Sequence, residues 1–312
     1  MALTRSKRLT RTQKEALDCY VFISPAVLGL LFFLLGPIVF SLYISFTDYD
    51  ILSSPVWVGL ANYVELFRDP FFWHSLKITL IYAGVSVPLG LVVSLLLAML
   101  LNQNLKGIYL FRVIYYLPAV ISGVAVALLW KWLFNPEFGL LNWFLGWFGI
   151  EGPKWIFSEE WALPSIILMS LWSVGGSMLI YLAGLQGIPS ELYEAAEIDG
   201  ASRIRRFWNV TIPMLSPVIF FNLVMGIIGS IQVFTEGYVL TQGGPNNSTL
   251  FAVLYLYRQA FSYFSMGYAS AMAWVLFLLI LGLTLLVFKS SPMWVFYEEQ
   301  KSRKPKARRN AG

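Results

Sequence analysis

Six long stretches of this chain contain no Asp, Glu, Lys or Arg, and they dictate most of what it can become. They cover residues 19–47, 78–105, 113–130, 161–190, 207–235 and 259–288. A helix needs about 20 apolar residues to cross roughly 30 Å of hydrocarbon. The pattern therefore predicts six spans, over 21–46, 79–101, 110–133, 163–185, 214–235 and 267–288. The third window is the shortest, and its span relies on the long stems of Arg112 and Lys131 reaching the interface. A seventh window, 237–257, is not expected to cross. Its run Gln242-Gly243-Gly244-Pro245-Asn246-Asn247-Ser248-Thr249 breaks a helix and would leave backbone groups unpaired in lipid. Residues 138–150, with Trp143 and Trp147, are too short to cross and read as an aromatic segment lying in the interface. The fold class is an all-α membrane protein with six transmembrane helices.

Composition removes the alternatives. Of 312 residues, 58% are hydrophobic and 12% charged, against about 25% charged in a soluble domain. That excludes a soluble enzyme and a disordered regulator. One cysteine, Cys19, excludes an internal disulfide. One histidine, His74, together with Cys19 and the methionines, has no spacing that suggests a metal site.

Charge placement predicts orientation. Arg5, Lys7, Arg8, Arg11 and Lys14 precede the first span, Lys106 and Arg112 flank the second loop, and Arg203, Arg205 and Arg206 lie in the fourth. Lys289, Lys301, Arg303, Lys304, Lys306, Arg308 and Arg309 follow the last span. These are 17 of the 22 basic residues, and the positive-inside rule puts both termini in the cytoplasm. The expected organisation is a basic N-terminus over 1–18, a six-helix domain over 19–288 and a basic tail over 289–312. The basic ends fit topology and anionic lipid better than nucleic acid. The first span is too long for a signal peptide and no small-residue cleavage site follows it, so it is read as retained. In the outer stretch 47–77, the spacing of Leu60, Tyr63, Val64 and Phe67 predicts a short amphipathic helix.

The fourth loop, 186–213, looks folded. Pro189 and Ser190 start a helix, Glu191 and Glu194 favour its positive end, and Gly200 stops it. Ser202 is placed to cap a second short helix, and Pro213 to begin the return to the membrane. Two readings stay open on these residues alone. One is a solvated hairpin joining two spans. The other is a docking knob, in which Ala195 and Ala196 permit close approach by a partner.

The run Glu194-Ala195-Ala196-x3-Gly200-x9-Val210-Thr211-Ile212-Pro213 resembles the EAA signature of ABC importer permeases. Val210 and Ile212 depart conservatively from the usual Ile-x-Leu-Pro ending. Ile188 through Ser202, Leu240-Thr241-Gln242-Gly243-Gly244-Pro245, Tyr257 through Phe261, Gly267 through Ala271 and Val58 through Tyr63 are similar to the carbohydrate-uptake branch, of the maltose, glycerol-phosphate and lactose type.

That resemblance implies a type I importer transmembrane domain in the cytoplasmic (inner) membrane of a bacterium or archaeon. It implies a second homologous permease, two ABC ATPase subunits that bind ATP and Mg, and an extracytoplasmic solute-binding protein as partners. No catalytic residue and no cofactor is expected in this chain, which has no Gly-x4-Gly-Lys-Ser/Thr loop. Glu194 would orient the coupling knob, Ala195 and Ala196 would be its packing surface, and Gly200 its turn. The resemblance also places a sugar path on Trp172, Ser173 and Gly176 in the fourth span and on Gly226, Ser230 and Val233 in the fifth.

The residues themselves speak to the path as well. Asn222, Gly226, Gly229, Ser230 and Val233 would share one helical face. Asn222 and Ser230 each donate and accept, as sugar hydroxyls require, whereas Gly226 and Gly229 equally suit helix packing. Trp172 is the aromatic candidate for stacking on a pyranose. Glu236 reads as a gate at the outer mouth or as a solvated helix end there. A glycerol-3-phosphate-type permease is the alternative substrate class. An ion-coupled secondary transporter is disfavoured by spans with no charge away from their ends, and a membrane scaffold by the EAA-like loop.

Overall fold

The computed structural model describes residues 10–296. Arg5, Lys7, Arg8 and the basic residues from Lys301 onward lie outside the described residues. The chain forms two compact units. Among the described residues, one comprises 10–69 and 256–275, the other 70–255 and 276–296.

In the first unit a long helix, α1 (Arg11–Ile44), covers the first predicted span. Thr10 caps it, accepting from the Gln13 N–H while the Gln13 side chain accepts from the Thr10 N–H. A two-stranded hairpin follows, β1 (Thr47–Asp48) paired antiparallel with β2 (Val56–Trp57). In its turn Asp50 accepts from the Ser53 hydroxyl and the Leu52 and Ser53 N–H groups, and these bonds hold its carboxyl below the usual range. The predicted short helix is α2 (Ala61–Arg68).

One buried side chain ties this unit together. Asn62 donates to the Ser45 and Thr47 carbonyls, each at 2.9 Å. Gly267 sits against the same strand, where a Cβ would come within 2.0 Å of the Thr47 oxygen. Tyr268 donates to Asp69 at 2.6 Å. The motif pieces Val58–Tyr63 and Gly267–Ala271 thus meet in one structural joint.

The second unit opens with α3 (Pro70–Leu101), which starts well before residue 79. Arg112 closes its far end, donating to the Leu101 carbonyl from Nη2 at 2.9 Å. The predicted span 110–133 is not one straight helix. It is two helices, α4 (Ile108–Val120) and α5 (Gly123–Leu133), meeting at 99°. Pro118 withholds a donor from the helix, and Ile121 and Ser122 turn to extended ψ values of 143° and 131°. Apolar composition alone hides such a break.

Residues 138–150 contain the short α6 (Leu140–Gly146). The predicted span 163–185 is likewise two helices, α7 (Glu159–Trp172) and α8 (Gly175–Gln186), bent by 45° at Ser173–Val174. Gly175 explains the bend's packing: a Cβ there would lie 2.4 Å from the Tyr115 carbonyl, so α8 begins directly on the α4 backbone.

The fourth loop supplies α9 (Ser190–Ile198). The next helix, α10 (Arg203–Ile231), runs unbroken from the loop into the fifth span. Pro213 therefore does not begin the span, and the expected second short helix is the span's own first turns. A π turn over Phe207–Thr211 ends two residues before Pro213 and lets the helix pass the missing donor. α10 ends at Ile231 rather than 235, so Val233 lies beyond the helix and not on its face. Window 237–257 contains a π turn, a tight loop and the short α11 (Ala252–Tyr257), consistent with its exclusion as a span. The last helix is α12 (Met266–Ser290).

Among the described residues, four helices are long and apolar enough to cross a membrane, or up to six if each bent pair is one span. The core of the second unit is built by α3, α8 and α10. Ala98, Leu101, Met178, Tyr181, Leu182, Leu185 and Leu215 are buried together, with Tyr193 and Val210 of the fourth loop packed on them. The outward faces are apolar as well: Phe33 on α1 is 85% exposed and Leu286 on α12 is 65%. Lipid accepts such faces and water does not.

Candidate functional site

The second unit holds a cavity of about 390 Å³, within the range of small-molecule sites. From α3 it is lined by Tyr82, Ser86, Val87, Gly90 and Leu91, and from the α7–α8 pair by Ser170, Val174 and Ser177. α10 contributes Asn222, Gly226, Gly229 and Ser230, and the irregular segment after it Gln232, Val233, Phe234, Thr235 and Glu236. Six hydroxyls, two amides and one carboxylate therefore face one space, with no basic lining residue. Asn222 donates to the Val218 carbonyl at 2.9 Å, which fixes its amide and leaves its oxygen for a ligand. Ser230 bonds back to the Ile227 carbonyl at 3.1 Å.

A second cavity of about 360 Å³ adjoins it, since Ser177 and Glu236 line both. Its walls are Pro118, Ala119, Ile121 and Gly123 at the break between α4 and α5, Val126, and Met169, Ser173 and Gly176 at the bend between α7 and α8. Both helix breaks thus serve a cavity wall.

The structure sorts the expected path residues. Asn222, Gly226, Ser230 and Val233 line the first cavity, while Ser173 and Gly176 line the second. Trp172 lines neither, and its ring lies edge-on to Trp130 at 5.9 Å. A Cβ on Gly226 would meet Val87 at 3.1 Å, a packing contact, whereas one on Gly229 would meet nothing within 4 Å. Sequence reasoning missed Tyr82, Ser86, Ser170 and Ser177, and for Glu236 it held a gate at the outer mouth beside a solvated helix end. Intrahelical serines carry no signal of which face turns inward until the neighbours are known.

Beyond Glu236 the chain forms a tightly bonded loop containing Gly243, Gly244 and Pro245. The Thr249 N–H donates to the Gly243 carbonyl at 3.2 Å, and its hydroxyl to the Gly244 carbonyl at 2.8 Å. Gln242 and Gly243 have φ of 49° and 81°, the left-handed region that favours glycine. α3 anchors this loop: Thr79 accepts from the Ala252 N–H at 2.9 Å, and His74 bonds the Asn247 carbonyl at 3.0 Å. Asn246 donates to Glu159. The single histidine is thus a tether for this loop.

At the other end of the core lies the α9 hairpin. Gly200 has φ of 74° and the Ala201 N–H reaches the Ala196 carbonyl at 2.9 Å, a glycine-closed helix end. Ser202 accepts from the Arg205 N–H at 3.4 Å, as its capping role requires. Glu197 pairs with Arg206 at 2.9 Å across the hairpin. The Tyr193 hydroxyl bonds the buried Thr211 hydroxyl at 3.0 Å, joining α9 to the root of α10. Glu194, Ala195 and Leu192 are exposed, as is Ile198 at 87%. The hairpin therefore pairs a fixed inner face with an exposed outer face on which Leu192, Ala195 and Ile198 stand beside Glu194.

Residues 90–291 match the model of the binding-protein-dependent transport system inner membrane component, and the chain belongs to that family. It is a multi-pass inner-membrane permease subunit, and such subunits are non-catalytic transport components. A probable ABC transporter permease, YesP of Bacillus subtilis, is 45% identical over 94% of this chain and 96% of its own length. The lactose transport system permease LacF of Rhizobium radiobacter is 39% identical over 86% and 92%. A solved bacterial alginate ABC transporter, in complex with an alginate pentasaccharide-bound periplasmic protein, superposes with a TM-score of 0.79 at 26% identity, covering 92% of this chain and 98% of that one. Its fold is the type I importer transmembrane fold.

Proposed function

We propose that this chain is the permease subunit of an ATP-driven sugar importer. The observation that carries the reading is the 390 Å³ cavity, whose polar groups are mainly hydroxyls and amides. Such groups exchange donor and acceptor roles with sugar hydroxyls. The permeases named for lactose and the transporter for alginate support the substrate class. The absence of a lining Lys or Arg favours an uncharged oligosaccharide or disaccharide over glycerol-3-phosphate. Asn222, Gly226, Ser230 and Val233 line the path, with Ser173 and Gly176 in its second chamber. Trp172 joins it only if its ring leaves Trp130.

In this reading each bent pair is one span, which makes six and puts both termini in the cytoplasm. A second permease completes the bundle, two ATPase subunits bind ATP and Mg, and an extracytoplasmic binding protein delivers the sugar. The α9 hairpin docks on an ATPase: Glu194 orients it, Ala195 and Ala196 pack, Gly200 turns the chain, and Pro213 follows at the root of α10. Closure of the ATPase pair moves the hairpin, and alternating access follows because α9 is bonded to the helix whose far end lines the cavity. The loop of Gly243, Gly244 and Pro245 braces the outer end.

The test has two parts. Saccharides are screened on the cognate binding protein by calorimetry, and each ligand found is assayed for stimulation of ATP hydrolysis by the reconstituted complex. The proposal expects at least one saccharide to bind and stimulate. Lack of stimulation by every saccharide tested would contradict it.

A further inference from the structure

We infer that the segment around α6 is an interfacial anchor, lying on the outer boundary of the bilayer with its aromatic face in the lipid. Residues 138–150 form a run without Asp, Glu, Lys or Arg, bounded by Glu137 and Glu151. Within it polarity is inverted relative to a helix that faces water. The one polar side chain points inward: Asn142 donates to the Pro136 and Pro153 carbonyls and accepts from the Trp155 indole at 2.6 Å. The aromatic side chains point outward. Trp143, Phe144, Trp147 and Phe148 are all more than half exposed, and they pack on one another, with the Trp143 and Trp147 rings 4.3 Å apart.

Leaving such a cluster in water is costly, at roughly 25 cal/mol per Å² of apolar surface. Its occupant follows from where it is tethered. Only Phe134–Gly139 separate the segment from the end of α5, a reach of about 20 Å fully extended. α5 and α7, on either side, belong to the pairs apolar enough to span. The cluster is held at the rim of the bilayer, where indole rings sit at headgroup level and phenyl rings just below. The anchor fixes the depth of the α5–α7 connection, and with it the wall of the second cavity.

The single cysteine makes the test direct. In a Cys19→Ser background, Phe144→Cys, Phe148→Cys and the exposed control Lys154→Cys are labelled with a nitroxide. The labelled protein is reconstituted in phosphatidylethanolamine–phosphatidylglycerol vesicles. Collision with oxygen relative to a water-soluble nickel chelate is then read at each site. The anchor predicts an oxygen-to-nickel ratio severalfold higher at 144 and 148 than at 154. Equal ratios at all three sites place the face in water and overturn the proposal. Low access to both reagents at 144 and 148 means that protein covers it, and overturns it too. A label-free check uses headgroup-proximal brominated lipid, whose quenching of indole fluorescence should fall in the Trp143→Phe, Trp147→Phe double variant. Unchanged quenching also counts against the anchor.

Discussion

Gly200 is closed by conformation rather than by space. Its φ is 74°, yet a Cβ there would meet nothing within 4 Å. A side chain is therefore accommodated but costs about 1–2 kcal/mol of backbone energy. Gly200→Leu is expected to insert and assemble normally while tilting the hairpin, so that ATP hydrolysis persists and uptake falls. The Tyr193–Thr211 bond is a finer probe. Tyr193→Phe keeps the packing and removes one hydrogen bond, a net loss of about 1 kcal/mol, or a factor of about five in an equilibrium constant. Solute taken up per ATP should drop by up to that factor with thermal stability little changed, and Thr211→Val should reproduce it. In the cavity, Gly229 has room for a side chain and Gly226 faces Val87 at 3.1 Å. Gly229→Phe is expected to leave stability intact and block uptake, as a transport assay beside a thermal-shift measurement would show.

At the level of elements, the joint of the first unit depends on two residues. Gly267→Ala would put a Cβ 2.0 Å from the Thr47 oxygen, and Asn62→Ala would orphan two carbonyls. Each is expected to cost about 1–3 kcal/mol, measurable as a lower midpoint of thermal unfolding in detergent. Here the limits of the sequence become physical. Apolar windows located the long apolar helices because hydrocarbon selects on composition, which a sum over residues captures. They missed the 99° break after Val120, because Pro118, Ser122 and Gly123 are as compatible with a straight lipid-facing helix as with a kinked one. The start and stop of α9 and the cap of α10 were legible, since Pro189, Gly200 and Ser202 act through local backbone chemistry, whereas the continuity of α10 through Pro213 was not. Tyr193 to Thr211 and Asn62 to the Thr47 carbonyl were not, because each pairing is made by tertiary approach. The cavity was half legible: amide and small residues on α10 were visible, whereas Tyr82, Ser86, Ser170 and Ser177 needed the packing of α3 against α7 and α8.

For the whole molecule, the distribution of charge and the distribution of work coincide. Among the described residues, Glu236 is the one charged side chain in the lining of the two cavities. The hairpin carries a cluster of charged residues, and its inner face is bonded to α10 while Glu194, Ala195 and Ile198 are exposed on its outer face. α10 begins at the hairpin and ends at Ile231, five residues before Glu236, so that single helix links the hairpin, the proposed docking surface, to a hydroxyl-lined cavity. The most direct test of this linkage reconstitutes the complete transporter in proteoliposomes and counts labelled saccharide taken up per ATP hydrolysed, for the parent chain and for Gly200→Leu. The account predicts a finite ratio for the parent and a ratio near zero for the variant, with hydrolysis retained. Normal uptake by an assembled Gly200→Leu complex would contradict it.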